Sequence, residues 1–214
     1  MANRSTTGFG LKAAMRLGNT ASIQGQSKYA IKTALGVGIF KGNPASIQTA
    51  GDTGFIQDSG FSTTDDGKDG GIDFTTANDA LLVGVHNGVF FIDGTTSKPT
   101  FANSVAASAT FGTNPNTGST NGVAFVNDDP DQEYVVKADA AVGQAIFGLC
   151  GNINDFAAGD AKDGASTATF DSGAQAETKM FRIVRSAEDP DNEDLTEAGA
   201  NIIVVINAAA NTYR

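Results

Sequence analysis

Residues 201–209 read NIIVVINAA. Five consecutive β-branched residues, Ile202, Ile203, Val204, Val205 and Ile206, stand together without a polar interruption. A half-buried strand alternates apolar and polar side chains, because successive residues point to opposite faces. A run that is apolar at every position predicts a strand buried on both faces, or one lying centrally in a sheet.

Working back from this closing strand, the chain offers more short strand candidates. KMFRIVRSA (179–187) and STATFDSG (166–173) precede it, and AVGQAIFGLC (141–150) reads as a strand or a short helix. VAFVNDDPDQEYVVKAD (123–139) predicts two strands around an acidic turn carrying Pro130. LLVGVHNGVFFID (81–93) predicts two strands joined by a hairpin turn at His86, Asn87 and Gly88, because Asn-Gly suits tight turns. KPTFANSVAA (98–107) is a strand or a loop. Pro44 marks a turn within IFKGNPASIQ (39–48), and YAIKTA (29–34) opens the body. Between these runs lie Gly/Thr/Asn-rich loops at 107–122 and 157–175. The pattern predicts eight to ten short strands and no long helix. The fold class is mainly β, a β-barrel or β-sandwich of short strands with long Gly/Thr/Asn-rich loops. Fourteen Phe against three Tyr and no Trp make Phe the main aromatic core filler.

Charge is unevenly distributed. The net charge is −10, yet residues 1–51 hold six basic side chains and no acidic one. An acidic body repels nucleic acid, so no nucleic-acid partner is expected. No segment approaches the roughly 18 consecutive apolar residues of a membrane helix, so no membrane partner is expected either. Residues 1–28 show no convincing element. LKAAMRL (11–17) would make two helical turns with Leu11 and Met15 on one side, but so short a helix is marginal alone. The segment reads as an extended N-terminal arm whose conformation a partner fixes, followed by a β-rich body over 29–214 with room for an inserted loop lobe around 107–175. Deleting residues 1–28 is expected to leave the body folded.

The residues that carry chemistry do not form a recognisable constellation. Ser-His-Asp catalysis needs a histidine base, and the only histidine, His86, falls in the expected turn, as a turn or surface residue. One His and one Cys do not make a zinc site without two carboxylates. Cys150, the only cysteine, lies in an apolar run and reads as a small core residue; with no second cysteine, assembly in a reducing cytoplasm is expected. Asp65, Asp66, Asp69 and Asp73 miss the EF-hand spacing, with Thr76 where a bidentate Glu belongs. The run from Glu188 to Asp194 fails likewise: started from Asp189, it has Ala200 at that position. GVGIFKG (36–42) lacks the ending of a phosphate-binding loop. No catalytic residue, metal or cofactor is assigned, and no enzyme is expected.

The order of segments carries a resemblance. MANRSTTGFGL (1–11), GQSKYAIKTALGVGIFKGNPASI (25–47), ALLVGVHNGVFFID (80–93), KPTFAN (98–103) and VAFVNDDPDQEYVVKADAAV (123–142) resemble virion structural proteins of marine tailed phages. The segment logic is similar to small β-barrel capsid decoration, or cement, proteins. In those an N-terminal arm precedes a strand ending in Gly-x-Pro, here Gly42, Asn43 and Pro44, and a Leu-x-Gly-Val strand follows, here Leu82 to Val85. The resemblance implies a non-enzymatic protein made in the host cytoplasm that binds the outer surface of an assembled phage head. Its partner would be the major capsid protein, with self-association open. The arm would make the contact, through Arg4, Lys12 and Arg16 against acidic patches and Phe9, Leu11, Met15 and Leu17 as apolar anchors. A tail, fibre or host-surface-binding role is the alternative.

Overall fold

The computed structural model describes residues 3–18, 21, 25–48, 54–58, 82–154, 159–173, 175, 177 and 179–213. Among these run fifteen strands: β1 (Lys12–Arg16), β2 (Ser27–Ile31), β3 (Ile39–Phe40), β4 (Pro44–Ile47), β5 (Ile56–Asp58), β6 (Leu82–Ile92), β7 (Pro99–Ala102), β8 (Ser104–Val105), β9 (Gly122–Asn127), β10 (Gln132–Lys137), β11 (Cys150–Gly151), β12 (Ile153–Asn154), β13 (Thr169–Phe170), β14 (Phe181–Ser186) and β15 (Asn201–Ile206). No α-helix occurs among the described residues, and two 3-10 turns cover Gln144–Ile146 and Ala208–Ala210.

Two antiparallel sheets organise the chain. One holds β1-β10-β15-β14-β11 in that order; the other holds β2-β9-β6-β4-β5, with β7 paired to the far half of β6. β15 lies between β10 and β14 and all six of its residues are buried, as its unbroken apolar run predicts. Ile202, Val204 and Ile206 join Tyr134, Val136, Phe181 and Ile183 in the main core. On the opposite face Ile203 and Val205 lie beneath an ion pair that spans β15, in which Arg185 of β14 donates to both carboxylate oxygens of Glu133 of β10 at 2.8 and 2.7 Å. The pair closes a face that would otherwise leave two β-branched side chains in water.

The two sheets are layered. Leu82 and Val85 of β6 share the main core with the five-stranded sheet, and a second core of Ile31, Ile39, Ala45, Ile56, Val83, Val89, Val105, Phe111, Ala124 and Val126 fills the six-stranded sheet. Neither sheet closes by pairing its first and last strands among the described residues. The packing is consistent with a β-sandwich, and no closed barrel forms among the described residues. β9 and β10 flank the acidic turn as predicted, but they join different sheets. The region around 107–175, read as room for an inserted lobe, thus contains strands from the interior of both sheets.

Three local expectations change. First, 81–93 is not a hairpin. β6 runs straight through it, with its register to β9 shifting between His86 and Gly88. A β-bulge absorbs the extra residue without reversing the chain, and Gly88 takes a φ of 150° that favours glycine. Both halves then pair with β9, while β4 and β7 flank the two halves on the other side. A reversal at Asn87 would forfeit that continuous ladder. His86 consequently lies inside the protein at 1% exposure and not at a turn or surface. Second, the turn at 39–48 precedes Pro44; Asn43 N donates to Phe40 O, and Pro44 opens β4, where its missing N–H is tolerated.

Third, the N-terminal segment is not a free arm. LKAAMRL forms no helix. Instead β1 pairs antiparallel with β10 at the sheet edge, Lys12 opposite Val135 and Ala13 opposite Tyr134. Edge pairing satisfies backbone groups that a two-turn helix would leave open at both ends. Leu11 is buried at 3% exposure within the main core. Gly8 packs so closely that a Cβ there would sit 2.0 Å from the carbonyl oxygen of Thr167.

Candidate interaction surface

The two arginines of the opening segment find carboxylates on the chain's own body. Arg4 Nη1 lies 2.9 Å from Asp191 Oδ2, and Arg16 lies 2.7 Å from Asp129 and 3.5 Å from Asp131. Lys12 Nζ stands 4.2 Å from the centroid of the Phe9 ring. Backbone bonds reinforce the docking, with Arg4 N donating to Asp191 O and Leu17 N to Asp131 O. Asn3 bridges the 194–198 loop, donating to the carbonyls of Asp194 and Ala198 and accepting from Asp194 N. Of the seven residues that the resemblance assigns to a partner, Leu11 is in the core and Arg4, Phe9, Lys12 and Arg16 have partners within the chain. Met15 and Leu17, at 48% and 46% exposure, still offer apolar surface.

A different apolar surface lies on the outer face of the six-stranded sheet. Phe101 of β7 is 74% exposed. It stands directly across from Phe90 of β6, with ring centroids 4.5 Å apart, and its ring lies 6.3 Å from that of Phe125 on β9. Val123 and Ala30 continue the row beside Phe90, and Lys28 flanks Phe125 across β2. Gly88 contributes no side chain between Phe125 and β7, which leaves a shallow depression floored by backbone and walled by Phe101, Phe125 and Asn103. The alternation that buries Val89 and Ala124 on the inner face turns these rings outward. Phe90, Phe101 and Phe125 were not singled out in the sequence, because each looks like an ordinary core Phe until register places all three on one face. The signal available was the adjacent pair Phe90-Phe91, which a strand must split between its two faces. Phe91 duly points inward and stacks on Phe111 at 4.8 Å.

The described residues offer little catalytic chemistry. His86 has its Nε2 3.3 Å from the carbonyl oxygen of Gln57, and burial pulls its pKa down to about 4. It adjoins a cavity of about 360 Å³ between the N-terminal segment and β6, lined also by Phe9, Leu11, Val85 and Tyr134. Cys150 is buried, and burial raises its thiol pKa, which disfavours a nucleophilic thiolate. Among the described residues no group of three or more His, Cys, Asp or Glu side chains is placed to hold a metal ion. The acidic stretch with Asp65, Asp66, Asp69 and Asp73 lies outside the described residues. No described helix is long and apolar enough to cross a membrane. No family model, curated protein or solved structure matches the chain.

Proposed function

We propose that this protein is a non-enzymatic virion structural protein, a capsid decoration or cement protein that binds the outer surface of an assembled phage head. The observation that carries the reading is the aromatic face of Phe90, Phe101 and Phe125. A contiguous apolar face on an acidic body is what a protein contact uses, since aromatic anchors supply most of the energy of such interfaces. The three rings stand on paired strands, so they are held rigidly and lose little entropy on docking. The order of segments that resembles decoration proteins supplies the class of partner, the major capsid protein of the shell. The contact surface moves accordingly, from the N-terminal segment as a whole to this face, with Met15 and Leu17 as secondary apolar contacts.

Purified protein mixed with expanded empty shells should bind stoichiometrically and raise the shell's melting temperature. Phe101→Ala should weaken binding by about 1.5–3 kcal/mol if the ring is fully buried in the complex. Its melting temperature in isolation should hardly change, because Phe101 is exposed. Absence of binding to every shell form would overturn the proposal, and undiminished binding of Phe101→Ala would displace the interface from this face.

A further inference from the structure

At the far side of the five-stranded sheet, four groups meet that the proposed function does not use. Lys137, the last residue of β10, is 3% exposed, and Asn192, in the loop leading to β15, is 8% exposed. Lys137 Nζ donates to Asn192 Oδ1 at 3.3 Å. It also lies 2.8 Å from the carbonyl oxygen of Ser5 and 3.4 Å from that of Gly199. The backbone N–H of Ser5 donates to Asn192 Oδ1 at 3.2 Å. On the other side of the same amide, Asn192 Nδ2 donates to Asp189 Oδ2 at 3.5 Å. The Phe9 ring lies 5.6 Å from Nζ.

We propose that Lys137 and Asn192 form an intramolecular isopeptide bond, with the Ser5 N–H as the oxyanion donor and Asp189 as a positioning residue on the leaving nitrogen. As the free amine, Lys137 has one N–H fewer; if it gives up the bond to Asn192 Oδ1 and keeps those to the Ser5 and Gly199 carbonyls, its lone pair turns toward the Asn192 amide carbon. The Nζ–Cγ bond forms and the carbonyl π electrons move onto Oδ1, where the Ser5 N–H receives the developing charge. In the tetrahedral intermediate one Nζ proton passes to the neighbouring Nδ2, which Asp189 Oδ2 holds in place. The Cγ–Nδ2 bond then breaks and ammonia leaves. Starting from the ammonium form of Lys137, the products are the secondary amide and one ammonium ion, so atoms and charge balance without an oxidant or co-reactant. Holding amine and amide in contact makes the attack unimolecular, which is how an unreactive amide becomes accessible to a lysine. Burial lowers the Lys137 pKa and so favours the free amine, against the opposing pull of the Asp189 carboxylate. Ser5 belongs to the docked N-terminal segment, so the site is complete only once that segment lies on the body. The bond would fasten β10 to the loop before β15.

Mass spectrometry of the folded full-length chain tests this. The expected intact mass is one ammonia lighter than the sequence requires. Proteolysis should yield a branched peptide joining residues around Lys137 to those around Asn192. Lys137→Arg keeps the cation but should show its own full sequence mass, as should Asn192→Ala; Asp189→Ala should slow or abolish the loss. A wild-type chain at full sequence mass would overturn the proposal, whatever the variants do. An ammonia loss that persists in Lys137→Arg, or that maps to another residue, would overturn it as well.

Discussion

His86 is held in the middle of β6, and its lowered pKa of about 4 means that the folded protein binds this proton more weakly than the unfolded chain, whose value is near 6.5. Stability from this group is therefore complete above about pH 6.5 and falls as pH drops toward 4. The size of the loss is on the order of 3 kcal/mol. Asp93, Asp189 and Asp194 have carboxyls held below their usual 3.8 by hydrogen bonds, so their contributions disappear only at lower pH. Urea unfolding at pH 7 and pH 4.5 should show a clear drop for the wild type and a much smaller drop for His86→Asn. Equal drops in both would remove His86 as the titrating group. Gly84 makes a steric case at the same scale. A Cβ there would lie 2.1 Å from the carbonyl oxygen of Asn127 on the neighbouring strand, a backbone atom that cannot swing aside. Gly84→Ala should destabilise by about 1–3 kcal/mol or more, read as a lowered melting temperature.

At the scale of elements, β15 and β1 contrast in how far local sequence reveals them. Val204 is fully buried on the core face of the central strand, between Tyr134 and Ile183. Val204→Asp would bury an unpaired charge and should cost several kcal/mol, on the scale of roughly 3–5 kcal/mol for a broken buried pair. A folded Val204→Asp with unchanged melting would contradict the central placement. β1 looks unstructured by composition, yet it carries Leu11 into the core and edges the sheet. Removing residues 1–17 should therefore destabilise the body, the reverse of what the sequence predicts for its first 28 residues. Losing the burial of Leu11 alone would cost about 1.5–3 kcal/mol. Gly8→Ala should act in the same direction by lifting the segment off Thr167. Faster exchange of the β10 amide hydrogens in that variant is the direct readout; unchanged exchange would mean that the segment tolerates the added methyl.

For the whole molecule, charge separation along the chain becomes self-complementarity in the fold. The basic opening lies on an acidic body, and Arg16 with Asp129 and Asp131 is the best-formed of its contacts. Because these pairs are at least partly exposed, each contributes little, about 0–1 kcal/mol. Arg4→Glu and Arg16→Glu together should lower the melting temperature modestly at low salt and by less at high salt, since exposed charges are screened. A salt-independent effect would point to lost packing rather than lost charge.

The strand class of this chain, and the two-sided burial of β15, were legible because both are local. A run of β-branched residues carries its own conformational preference, and its lack of alternation reports its surroundings directly. The two strands around the 128–131 turn were legible for the same reason. What the tertiary structure decided is the set of facts that depend on pairing between distant residues. Asn-Gly at 87–88 serves a hairpin turn and a bulge alike, and only the continuous ladder to β9 selects the bulge. The place of residues 3–17 depends on complementary edges and carboxylates more than 100 residues away in sequence, as between Arg16 and Asp129. The aromatic face depends on register, which puts Phe90 opposite Phe101 and leaves Phe91 on the other side. Lys137 and Asn192 are 55 positions apart, and neither carries a local sign of the other. Their meeting arises from the way β10 pairs with β15, because strand pairing brings together side chains that no sequence spacing relates.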